Sequence, residues 1–175
     1  MQLLIDAYEK IRDFLELGGP VLRLIAVVLL IMWTLILERL IYFRTGLKEV
    51  MSEALAEWEA RPERRTWHAR QIRAEIISQA RMNANRGLPL IRTLVMLCPL
   101  LGLLGTVTGM VAVFQAMAFS GTGNARAMAA GVSMATVPTM AGMVGALSGV
   151  FLVTILNRQA KRNIAMLEDA MTMDH

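Results

Sequence analysis

Apolar residues fall into three long runs along the chain, divided by one extended charged stretch and one short turn-rich link. The most uniform run covers 94–118, 25 residues without a charge. As a helix it reaches about 37 Å, enough to cross a hydrocarbon core of roughly 30 Å. The run over 21–37 is interrupted only by Arg23 and is prolonged by 40–43. With Arg23 snorkelling outward, it predicts a first span over 20–43 in which Trp33 faces lipid or a neighbour. The last run covers 127–156 and stops at Asn157-Arg158. The pattern predicts an all-α membrane protein with spans over 20–43, 93–118 and 127–156 and helical extensions beyond the membrane.

The remaining segments are polar but keep helical periods. Over 1–19, Leu4, Tyr8, Ile11 and Leu15 recur at helical spacing, with Asp6, Glu9, Asp13 and Glu16 elsewhere on the wheel. That predicts an external amphipathic helix at a membrane surface, or a solvated helical lead-in. A signal peptide is not expected, because the basic start and apolar core it needs are missing. Gly18-Gly19-Pro20 ends this helix. Over 44–92 charge is dense, yet Val50, Ala54, Leu55 and Trp58, then Ile72, Ile76 and Ile77, keep a helical period. Two soluble helices parted near Arg61-Pro62 are predicted, with Gly87-Leu88-Pro89 opening the second span. The basic cluster over 61–73 reads as a solvated, phospholipid-facing loop. The link 119–126 is turn-rich, and 157–175, with Lys161, Arg162, Glu168 and Asp169, reads as a short amphipathic tail. Glu38 and Arg39 stand where the first span meets water. Adjacent helical residues do not face one another, so each needs its own partner, solvent or a neighbouring chain.

Small residues mark both later spans. Gly102, Gly105, Gly109, Ala112 and Ala116 recur at three- and four-residue steps, and Gly131, Ala135, Pro138, Gly142, Gly145 and Gly149 repeat the pattern. Such stripes let another helix approach closely, which is how helices associate where lipid removes the hydrophobic drive. Pro99 and Pro138 are expected to kink these helices or interrupt their hydrogen bonding. Thr106 and Thr108 sit beside the first stripe, and Ser133, Thr136 and Thr139 form a row beside the second. With the link centred near Asn124, the depths of Thr106 and Thr139 differ by only about 5 Å. A shared polar ring is one reading; hydroxyls bonded back to their own helix carbonyls are the other.

Composition and charge then narrow the function. At 175 residues and 55% hydrophobic, the chain reads as one integral membrane domain. Of its 18 lysines and arginines, eleven lie over 39–92 and three follow position 156. That bias predicts an external (periplasmic) N-terminus, with the middle loop and C-terminus in the cytoplasm. It also accounts for the basic surplus, so no nucleic acid is expected. No cofactor or metal site is expected either: Cys98 is the only cysteine, and His68 and His175 have no ligand pattern around them. No nucleophile–base pair lies near the bilayer, so an enzyme is not expected. Neither 93–125 nor 127–157 holds an Asp, Glu, Lys, Arg or His. Proton-moving membrane proteins usually carry one at membrane depth. Hydroxyls can hold waters but do not titrate at neutral pH, so any protons crossing here need a carboxylate from a partner.

Gly18-Gly19-Pro20 leading to Leu37-Glu38-Arg39-Leu40 resembles the first helix of the MotA/TolQ/ExbB proton-channel family. Pro99-Leu-Leu-Gly-Leu-Leu-Gly-Thr-Val-Thr-Gly109 closely resembles its second helix, and 128–158 its third helix with a basic exit. The ExbB branch is the nearest, of a compact type. The resemblance implies a ring-shaped homo-oligomer, a pentamer, in the inner membrane of a Gram-negative bacterium. Two single-span ExbD-like subunits would occupy its pore and supply an aspartate, with a TonB-like protein alongside. The complex would couple the proton-motive force to outer-membrane uptake, such as that of iron-siderophores. Thr106 and Thr139 match the family's pore-facing threonines. Many relatives carry a glutamate near the outer end of the third helix, where Ser133-Met134 stands here. A TolQ-like subunit serving envelope integrity, or a scaffold that oligomerises through its glycine stripes and moves nothing, are the alternatives.

Overall fold

A computed structural model describes residues 2–120 and 125–172, which form six α-helices. These are α1 (Gln2–Leu17), α2 (Gly19–Arg44), α3 (Gly46–Glu59), α4 (Trp67–Asn85), α5 (Leu88–Ser120) and α6 (Ala125–Ala170). Three helical segments are long and apolar enough to cross a membrane, and they contain α2, α5 and α6. The chain is therefore a multi-pass, all-α membrane protein. Of the turn-rich link over 119–126, residues 121–124 lie outside the described residues.

Two helix starts are set by glycines in the left-handed region, where a side chain would be strained. Gly19 (φ +69°) turns the chain from α1 into α2, and Gly87 (φ +79°) turns it from α4 into α5. Pro20 and Pro89 follow at first-turn positions, where a missing N–H costs no helical bond. Pro99 and Pro138 lie inside α5 and α6, and neither ends its helix. The tail expected after Asn157 is not a separate element: α6 runs unbroken for 46 residues, about 69 Å. Its apolar period explains this, since Leu156, Ala160, Ile164, Leu167 and Met171 are all buried at three- and four-residue steps.

The chain divides into two compact units. The first comprises 1–33 and 93–150, and its core includes Leu22, Ile25, Met32, Val95, Cys98, Val113 and Ala135. Here α5 and α6 form an antiparallel pair, with Gly109 against Ala135 and Gly131 against Val113. Much apolar surface in this unit stays uncovered, including Leu100, Leu103, Val107, Phe114, Met140, Val144 and Leu147. On α1, Leu4, Tyr8 and Ile11 are exposed as well, while Leu15 of the same stripe is half-buried.

The second unit comprises 34–92 and 151–175. Trp58 of α3 is buried, and α4 lays Ala69, Ile76, Ile77, Ala80 and Ala84 into the core beside Leu156, Ile164 and Leu167 of α6. Thr66 caps α4, its hydroxyl accepting from the Ala69 N–H.

Candidate functional site

The feature that organises the first unit is a seam of backbone-close contacts between α5 and α6. A Cβ added at Gly102 would stand 3.0 Å from Thr139 Cα, at Gly105 2.5 Å from Pro138 Cβ, and at Gly109 2.5 Å from Ala135 Cα. At Gly142 it would stand 2.5 Å from the Cys98 carbonyl oxygen. Gly145 and Gly149 are occupied from the same chain too, by Leu29 and by Val95 and Met32. Both glycine stripes are thus spent on packing within one protomer.

That closeness places two hydroxyls together. Thr106 and Thr139 are in hydrogen-bond contact across the seam. The Thr139 hydroxyl also donates to the Gly102 carbonyl at 2.9 Å, and Thr106 Oγ1 lies 3.3 Å from that oxygen and 3.4 Å from the Ala135 carbonyl oxygen. Both threonines are half-buried. The register brings them level: the Gly109–Ala135 and Gly131–Val113 pairs centre it on position 122, two residues before Asn124. Each hydroxyl has one proton and two lone pairs, so the pair retains capacity to accept from a further donor.

The other hydroxyls do not join this pair. Thr136 is exposed and bonds back to the Val132 and Ser133 carbonyls at 3.2 and 3.3 Å. Thr108 bonds back to Gly105 at 3.1 Å. Ser133 lines a separate cavity of ≈490 Å³, together with Glu16, Leu17, Arg126 and Met134. The Glu16 carboxylate of α1 therefore shares a cavity with Ser133 and Met134.

In the second unit, Glu38 and Arg39 line one cavity of ≈270 Å³ with Tyr42, Asn83 and Arg86. Arg39 is only 8% exposed, with its guanidinium carbon 5.2 Å from the Tyr42 ring centroid. Its partners thus include this ring of its own helix, a cation–π contact rather than solvent alone. The basic cluster is also not uniformly solvated. Arg73 donates to the Met171 carbonyl at 2.9 Å and the Glu168 carbonyl at 2.6 Å, while Trp58 Nε1 donates to the Thr172 carbonyl at 3.0 Å. The Glu168 carbonyl belongs to the last turn of α6 and those of Met171 and Thr172 follow its end, and a cation there meets the negative end of the helix dipole. Arg81 adds a 2.8 Å ion pair to Glu168. The signal was present in the chain: Arg73 shares a helical face with Ala69, Ile76, Ala80 and Ala84, where a solvated arginine has no place.

Residues 42–169 match the MotA/TolQ/ExbB proton channel family. The chain belongs to this family. The match takes in both glycine stripes and both threonines, and starts after Gly18-Gly19-Pro20 and Glu38-Arg39. The chain is 40% identical over 74 residues to an ExbB-like biopolymer transport protein of Synechocystis sp., covering 41% of this chain and 29% of that protein. It is 32% identical over 82 residues to a second such protein of that organism, covering 46% and 39%. With the biopolymer transport protein exbB1 of Vibrio cholerae it shares 33% identity over 96 residues, covering 54% and 42%. The chain thus spans less than half the length of these relatives. The family is one of proton channels rather than enzymes.

Proposed function

We propose that this chain forms the ring of an inner-membrane TonB–ExbB–ExbD-type complex, a pentamer whose α5 and α6 line a central pore. Its N-terminus lies in the periplasm and its C-terminus in the cytoplasm, as the concentration of basic residues over 39–92 favours. A single-span ExbD-like partner in the pore supplies an aspartate that takes and releases protons, and a TonB-like protein carries the work to outer-membrane receptors.

The observation that carries this reading is the Thr106–Thr139 pair, set in spans without Asp, Glu, Lys, Arg or His, inside the family-matched segment. Two apposed hydroxyls offer a polar, non-titrating surface. They can accept a hydrogen bond from a protonated carboxyl or from water, yet they do not ionise at neutral pH and so set no charge that would trap the carrier. The uncovered apolar faces of α5 and α6 add support, because such faces need either lipid or neighbouring chains. The glycines fix the threonines rigidly, so the ring wall stays in place while the partner's acid moves against it.

Proton-dependent iron-siderophore uptake in cells carrying Thr106→Val, Thr139→Val and the double variant tests this. Loss of uptake with normal membrane levels of the protein is the expected result. Full uptake in the double variant would remove the threonines from the mechanism. Detergent sensitivity on deletion, with uptake intact, would assign the chain to envelope integrity instead.

A further inference from the structure

A cavity of ≈590 Å³ lies in the second unit, where α2 passes into α3 alongside the late turns of α6. Arg44, Lys48 and Arg162 line it, with Gln159 and Asn163 as neutral polar neighbours and Phe43 and Met166 as its apolar part. No carboxylate lines the cavity, and none of the three cations makes an ion pair among the described residues. Two residues of α6 further on, the opposite occurs: Glu168 is paired by Arg81. Three cations converging on one volume repel each other, and an anion seated among them removes that cost.

The position says which anion. Arg44 directly follows the apolar run that ends at Phe43, and Arg162 lies six residues, about 9 Å, beyond the last apolar residue of the third span, Leu156. Headgroup layers begin at that depth. Both α2 and α6 leave the membrane at this end, and helical side chains tilt toward the N-terminus, so Arg44 and Arg162 lean back toward the bilayer surface. Phe43 is buried beneath them and Met166 is half-exposed, which supplies an apolar floor continuous with the span. Basic pockets beside membrane helices are a recurrent setting for anionic headgroups.

We propose that this cavity binds the phosphate of an anionic phospholipid, held by Arg44, Lys48 and Arg162, with the glycerol and first methylenes against Phe43 and Met166. The site needs neither the partner subunits nor a proton gradient, so it stands or falls separately from the channel function.

The test is native mass spectrometry of the full chain, in its purified assembly, titrated with phosphatidylglycerol or phosphatidylcholine. Phosphatidylglycerol is expected to remain bound and phosphatidylcholine to dissociate. Each of Arg44→Gln, Lys48→Gln and Arg162→Gln should weaken phosphatidylglycerol binding about fivefold, and the triple variant about a hundredfold. Arg70→Gln, an exposed cation outside the cavity, should leave it unchanged. The single variants at these exposed positions keep the test informative if the triple variant fails to fold. Equal retention of both lipids, or undiminished phosphatidylglycerol binding in the single variants, would overturn the proposal. Displacement of the lipid by millimolar inorganic phosphate would reassign the site to a free anion. A triple variant that loses its oligomer while keeping the lipid would assign the cations to a neighbouring copy's acids, and either result also overturns it.

Discussion

Replacing Gly109 by alanine measures how closely α5 and α6 are apposed. The added methyl would stand 2.5 Å from Ala135 Cα and 2.7 Å from both its N and its Cβ. Carbon contacts settle at about 3.5–4.0 Å, so the helices must separate by about 1 Å. No side-chain rotation relieves a clash with backbone. Overpacking of this kind costs about 1–3 kcal/mol, while alanine for glycine in a helix returns about 1 kcal/mol. The separation also stretches the Thr139 hydrogen bond to the Gly102 carbonyl, and interhelical bonds in membranes are worth about 0.6 kcal/mol. The expected net loss is about 1–2 kcal/mol.

A matched pair of rescues makes the reasoning refutable. At Gly131 an added methyl meets the Val113 side chain, and the nearest Val113 backbone atom lies 3.4 Å away. Trimming that side chain opens the space, so Gly131→Ala with Val113→Ala should be no less stable than Val113→Ala alone. Ala135→Gly should not rescue Gly109→Ala, because the Ala135 Cα and N remain in the way. Unfolding midpoints in mixed micelles at increasing denaturing detergent report both cases. Full rescue of Gly109→Ala by Ala135→Gly, or wild-type stability of Gly109→Ala, would show that the seam is not at backbone contact.

Two further substitutions probe the second unit. Arg73→Gln removes the guanidinium from the Met171 and Glu168 carbonyls and should cost about 1–3 kcal/mol; hydrogen exchange should then speed up over 164–171 and stay unchanged over 98–113. Gly87→Ala forces a side chain into φ +79° and places its Cβ 3.1 Å from Arg39 Nε, so it should lower the unfolding midpoint by an amount equivalent to about 1–2 kcal/mol, which Arg39→Gln does not restore.

The spans were legible because a charge-free run of this length fits a membrane helix and little else. The Gly-Thr-Val-Thr-Gly stretch made the family readable. The stripes announced close packing but not its partner: three- and four-residue spacing is the same whether a glycine faces its own chain or another. Only the register decides, and it brings Pro138 to Gly105 and Ala135 to Gly109 within one protomer. The depth of Thr106 and Thr139 was approachable from residue counts. Their contact was not, because a shift of two residues in the link's centre moves the two hydroxyls relative to each other by a whole contact distance. Charge density over 39–92 concealed the buried Arg39 and the half-buried Arg73. The two differ from their neighbours in the face they occupy rather than in chemistry, and a tally of charges by segment averages that difference away.

Proton flux into liposomes tests most directly the proposal that this chain builds a channel wall with no proton-carrying group of its own. Under an imposed gradient, the chain reconstituted alone should pass no protons above the protein-free level. Flux should appear when a single-span, aspartate-bearing partner is co-reconstituted, and Asp→Asn in that partner should abolish it. Flux through the chain alone, or flux that survives loss of the partner's carboxylate, would contradict the account.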